Sequence, residues 1–146
     1  MAITYVPPDD QLARAVPWTR LRRDEDDNVI GVQAATFRLR KDEAYLSAAW
    51  LEYFDGSRQE RIVSLVTEFR RSNMKPTVKS GFALGQNERI KDACAARNHR
   101  VRVIHEPTED NVAHVAVRRW PVEDDLLCEQ MAREVWSELI MNRDIP

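Results

Sequence analysis

Two stretches in the second half of the chain alternate strictly between apolar and polar residues. In HRVRVIH (residues 99–105) Val101 and Val103 fall on one side and Arg100 and Arg102 on the other. In NVAHVAVRRW (residues 111–120) Ala113, Val115 and Val117 share a side. A period of two marks a half-buried strand, so these stretches predict a hairpin joined through the polar segment between them. VIGVQAATFRLR (residues 29–40) has β-branched and aromatic residues and no helical stripe, which predicts another strand with a bulge at Gly31. FALG (residues 82–85) predicts a short one.

Other stretches repeat at helical spacing. Ser57-x-x-Glu60 has the form of a capping box, and Ile62, Leu65, Val66 and Phe69 follow, which predicts an amphipathic helix over residues 58–72. Asn87 is placed to cap a helix over residues 88–97, with Ile90, Ala93 and Cys94 facing inward. AYLSAAWLEYF (residues 44–54) is apolar enough to predict a short buried helix ended by Asp55-Gly56. Pro121, Glu123, Asp124 and Asp125 suit a first helical turn, and Leu127, Met131, Val135 and Leu139 recur every fourth residue after them. Pro7, Pro8 and Pro17 break up residues 1–28, which predicts an N-terminal arm anchored through Trp18. The expected architecture is therefore α+β: one domain over residues 29–146, with a small, largely antiparallel sheet packed by three to four helices.

Composition narrows the class. A length of 146 residues, 43% of them hydrophobic and 32% charged, is that of a globular domain with a proper core. No stretch approaches a membrane span, and the N-terminus lacks the basic-then-apolar pattern of a signal peptide. Cys94 and Cys128 stand alone at apolar positions, so buried reduced thiols and a cytoplasmic location are expected. The net charge of −2 hides an uneven distribution, with 9 Lys/Arg against Glu88 and Asp92 in residues 70–105. That basic segment, with Arg100, Arg102, Arg118 and Arg119 and the aromatic face of Trp120, is one candidate for binding nucleic-acid phosphates and a base.

The second candidate lies in HEPTEDNVAH (residues 105–114). A symmetric loop would set His105 directly opposite His114, with Cβ atoms about 4.5–5.5 Å apart. Two imidazoles so placed could share a metal ion, with Glu106, Glu109, Asp110 and Asn111 in the loop to complete the site, or could divide acid and base roles, with Asn111 as an orienting donor. A one-residue asymmetry would send them to opposite faces. HExxH, HxH and paired CxxC are absent, as are GxSxG and Gly-rich phosphate loops, so no metal or cofactor is expected.

LSAAWLEYF (residues 46–54) followed by HEPTEDNVAH resembles a pattern in small bacterial proteins, LSxxWLE followed by HxPxxx[ND]xxH. The resemblance spans about 120 residues, rests on two short motifs and brings no activity with it. It singles out Ser47, Trp50, His105, Asn111 and His114. Three functions stay open at this point: an accessory domain that binds a protein partner, which the four tryptophans and segregated charge favour; a hydrolase or nucleic-acid-processing enzyme working through His105 and His114; and a nucleic-acid-binding module.

Overall fold

A computed structural model describes residues 2–146. It is an α+β structure with a six-stranded sheet, antiparallel at every pairing, and three α-helices. The strands are β1 (Gln11–Val16), β2 (Leu21–Arg23), β3 (Val29–Val32), β4 (Tyr45–Trp50), β5 (Gly81–Gln86), β6 (Arg102–His105), β7 (His114–Arg118) and β8 (Glu138–Met141). The main sheet runs β6-β7-β4-β1-β5-β8, and β2 and β3 form a separate hairpin. Its register shifts between Arg22 and Arg23, which places a bulge beside Gly31 as expected. The helices are α1 (Arg58–Arg71), α2 (Asn87–Ala95) and α3 (Asp125–Gln130).

Strand alternation divides the core in two. On one face α1 lays Ile62, Leu65, Val66 and Phe69 over Ala13, Ala49, Phe82 and Leu84. On the other, α2 and α3 cover Leu12, Leu46, Ala83, Val103, Val115 and Val117. The capping box of α1 is present in full, with Ser57 accepting from the Glu60 amide and Glu60 accepting from the Ser57 amide. No helix is long and apolar enough to cross a membrane.

Four expectations about the elements are corrected. Residues 11–16 are not part of an arm: β1 lies between β4 and β5 in the main sheet, and Pro8 and Pro17 flank it instead of breaking it. Residues 44–54 are not a helix. Tyr45–Trp50 form β4, covered on both faces, and such a strand reads as an unbroken apolar run that periodicity cannot tell from a buried helix. The last helix is much shorter than its fourfold stripe implied. After α3 the chain makes a π-helical turn (Met131–Val135), and Leu139 then pairs with Ala83 across β5 and β8, so the strand pairing of this segment wins over its helical spacing. Asn87 also does not cap α2 from outside; it is the first residue of the helix, and its side chain donates to the carbonyls of Val6 and Pro7.

Cys94 and Cys128 are free and buried, and burial pushes the Cys94 thiol up to about 12. Trp18 does anchor its segment, with the Arg23 guanidinium 4.2 Å and the Lys79 ammonium 5.0 Å from its ring centre. The acidic start of α3 is held by Asp124, which accepts from the Leu127 amide, from Arg97 at 2.7 and 2.8 Å, and from His99 at 2.7 Å. These bonds, Arg97 foremost, keep the Asp124 carboxyl well below the usual carboxylate range. A depressed pKa in the folded chain gives stability that is complete above the unfolded value, roughly 3.9, and lost as the pH falls below it. Asp124→Asn keeps the cap but not the charge. Urea unfolding at about pH 5 and pH 3 should therefore show a smaller acid loss for the variant than for the wild type; equal losses would show that Asp124 does not carry it.

Candidate active site

The hairpin of β6 and β7 is asymmetric. His105 lies opposite Val115, one position beyond His114, so the two histidines point to opposite faces of the sheet. The cause lies in residues 111–113. The Val112 amide donates to the Glu68 carboxylate on α1, the Ala113 amide to Asn111 Oδ1, and the Ala113 carbonyl accepts from Trp50 on β4. These contacts draw the returning limb toward α1 and β4 and place one extra residue on it. The expected His105–His114 pair is thereby corrected. His105 Nε2 meets the Val112 carbonyl at 2.8 Å, and its ring packs edge-on to Trp50 and tilted against Tyr53.

His114 has a different set of neighbours. Because Ser47 is opposite Ala116 and Ala49 opposite His114, Ser47 and His114 are diagonal neighbours on the face that α1 covers. His114 Nδ1 is 2.8 Å from the Glu106 carbonyl, which can only accept, so Nδ1 carries the proton and donates. Nε2 is then left as an acceptor, and the Ser47 hydroxyl stands 3.2 Å from it. Glu106 is held in turn by a two-bonded ion pair with Arg118 at 2.6 and 2.7 Å, and Arg118 keeps the Glu106 carboxyl low.

Ser47 and His114 open into a cleft of about 210 Å3, roofed by Phe69, Ser72 and Met74 and walled by Thr108, Asp110 and Asn111. Asn111, 6% exposed, uses Oδ1 on the Ala113 amide; its Nδ2 has no partner among the described residues. Asp110 ties the rim together by accepting from the Asn73 amide and the Thr108 hydroxyl, and these bonds lower its pKa.

Arg14 stands at the inner end of the cleft. The β1–β4 ladder stops at Ala13 and Ala49, and beyond it the Arg14 guanidinium enters the gap, donating to the carbonyls of Thr36 and Ser47. None of the ion pairs among the described residues involves Arg14. Burial outweighs the attraction of nearby Glu43 and pushes its pKa down to about 10, so the group is charged at neutral pH and sits in a poorly solvated place. Arg14 was missed in the sequence because residues 1–28 read as an arm, although a lone arginine inside the apolar run QLARAV is the signal that could have found it.

The candidate nucleic-acid surface loses its aromatic member. Trp120 is 4% exposed and its indole donates to the Phe37 carbonyl, so it belongs to the core and offers no face to a base. Arg118 is engaged by Glu106 and Arg102 by the Tyr5 hydroxyl, while Arg100 and Arg119 are exposed. Among the described residues no group of three His, Cys, Asp or Glu side chains is placed to hold a metal ion. Compared with known protein families, curated proteins and solved structures, the chain matches none.

Proposed function

We propose that this protein is a small hydrolase that acts on a carbonyl compound in the cleft between the sheet and α1, with Ser47 as nucleophile and His114 as its base. The observation that carries the reading is the Ser47–His114 contact in which the Glu106 carbonyl fixes the imidazole with its acceptor nitrogen toward the hydroxyl. Nε2 takes the hydroxyl proton as Oγ attacks the carbonyl carbon, and the electron pair of the C=O bond moves to its oxygen. The unbonded Nδ2 of Asn111 is available to donate to that oxyanion. Collapse of the adduct expels the leaving group, which takes the proton back from Nε2, and water activated in the same way by His114 then releases the acid and restores Ser47. A backbone carbonyl stands where many such sites use a carboxylate, which orients the ring without adding a countercharge.

A fluorophosphonate probe, which phosphonylates activated serines, tests this directly. Peptide mass spectrometry should find the adduct on Ser47, and Ser47→Ala and His114→Ala should abolish it. A label on another serine, or undiminished labelling of His114→Ala, would sink the assignment. The partner-binding reading finds support in Val122 and Leu126, both exposed and four residues apart, but such a pair offers far less area than a stable interface buries.

A further inference from the structure

A second cavity of about 500 Å3 adjoins the first where β1 and β4 part. Arg14, Ala15 and Met74 line both, so the two spaces meet at the Arg14 guanidinium. Arg20, Arg38 and Arg40 line the second cavity as well, and Glu43 is its one acidic lining residue. Glu43 is already engaged, accepting from the Arg40 amide at 2.7 Å, and Arg38 is paired with Asp125. Arg14, Arg20 and Arg40 take part in no ion pair among the described residues. Thr36 also lines this space. It is 5% exposed, and its hydroxyl is shielded from solvent with no hydrogen-bond partner.

We infer that this cavity holds a phosphate or diphosphate group, and that Arg14 joins it to the cleft where the same ligand's carbonyl meets Ser47. The second half of that statement rests on the hydrolase reading; the first does not. Three arginines that line one space without an ion pair carry more positive charge than a single carboxylate can match, since one Arg fork satisfies one carboxylate. A phosphate offers three oxygens and close to two charges, and a diphosphate more. The substrate class is therefore an acyl compound with a phosphorylated tail, the tail in the arginine cavity and the acyl carbon in the cleft. Because Arg14 donates to the Ser47 carbonyl, an anion that draws on its free Nη2 also bears on the strand segment that carries the nucleophile.

The test is calorimetric titration with inorganic pyrophosphate, with citrate as the carboxylate counterpart. Pyrophosphate should bind and should weaken as salt is added. Arg20→Ala/Arg40→Ala, both at exposed positions, should lower its affinity about ten-fold or more, as the loss of charge-assisted bonds requires. Arg14→Gln should do the same, and circular dichroism checks that it folds; if it does not, the double variant decides. Arg133→Ala, which removes an exposed arginine that lines neither cavity, should bind like the wild type. No heat with pyrophosphate, citrate binding as tightly, or an equal loss in Arg133→Ala would each overturn the inference. Since the titration needs no turnover, it can succeed when Ser47 labelling fails and fail when labelling succeeds.

Discussion

His114→Ala is expected to lower kcat/KM for an activated ester such as p-nitrophenyl acetate by about 10²–10⁴-fold, the range that a positioned general base contributes. His105→Ala should stay within about two-fold of the wild type, because the transition state makes no contact with it. The contrast follows from one register position. His105 and His114 stand at the two ends of one loop, yet the first spends its Nε2 on the Val112 carbonyl against Trp50 and Tyr53. The second keeps Nε2 for the Ser47 hydroxyl inside a cleft. Asn111→Ala should fall between them, since loss of one oxyanion donor costs about 10²–10³-fold where the remaining donors are few and less where others share the charge. If His105→Ala is the crippled variant, the active face of the hairpin is the opposite one and the Ser47–His114 site is wrong. Equal activity in all three would remove the hairpin from the chemistry altogether.

Part of this arrangement was legible in the sequence. Alternation located β6 and β7, and Ser57-x-x-Glu60 located the start of α1, because in both cases the local pattern and the tertiary environment ask for the same thing. Where they differ, the local pattern misleads. In β4, Leu46 and Ala48 meet one core while Ala49 meets the other, so no alternation survives and the run resembles a helix. In the last segment the fourfold stripe is genuine as far as Val135, but residues 138–141 pair with the edge of β5 that β1 leaves open, and that pairing is invisible from the stripe alone.

The site was legible as a set of residue types and illegible as a geometry. His114, Asn111 and Ser47 could be singled out, but whether His114 faces His105 or Ser47 depends on one residue of loop asymmetry. That asymmetry goes with contacts that include Glu68 and Trp50, more than forty positions away in sequence. Arg14 illustrates the complementary failure. Its three neighbouring prolines suggested an irregular arm, and only the end of the β1–β4 ladder shows why an arginine belongs there: it takes up the Ser47 carbonyl that the ladder leaves free.

Trp136→Ala should cost the fold about 3–5 kcal/mol, the range for removing a large buried aromatic, and lower Tm by roughly 10–15 °C for a chain of this size. Trp136 is 2% exposed and lies where the π-helical turn hands over to β8. One side of its indole meets Phe37, with ring centres 5.2 Å apart. The other lies on the backbone of Gly85 in β5, where an added Cβ would come within 3.0 Å of the ring and 3.2 Å of the Val135 carbonyl. Gly85 therefore has no side chain because the indole occupies that space, and Gly85→Ala is expected to destabilise by pushing ring or strand aside. Gly85→Ala and Trp136→Ala in one chain should then cost less than the sum of the single changes, since without the ring the methyl has only the Val135 carbonyl, at 3.2 Å, left to press against. Trp136→Phe separates packing from hydrogen bonding. The indole N–H is buried without a partner, so the smaller ring loses contact area but also removes an unsatisfied donor, and its cost should be well below that of alanine. Chemical denaturation of the four variants decides the matter. Strictly additive losses for the Gly85 and Trp136 pair would show that the ring does not rest on the glycine, and that the turn before β8 is held by something else.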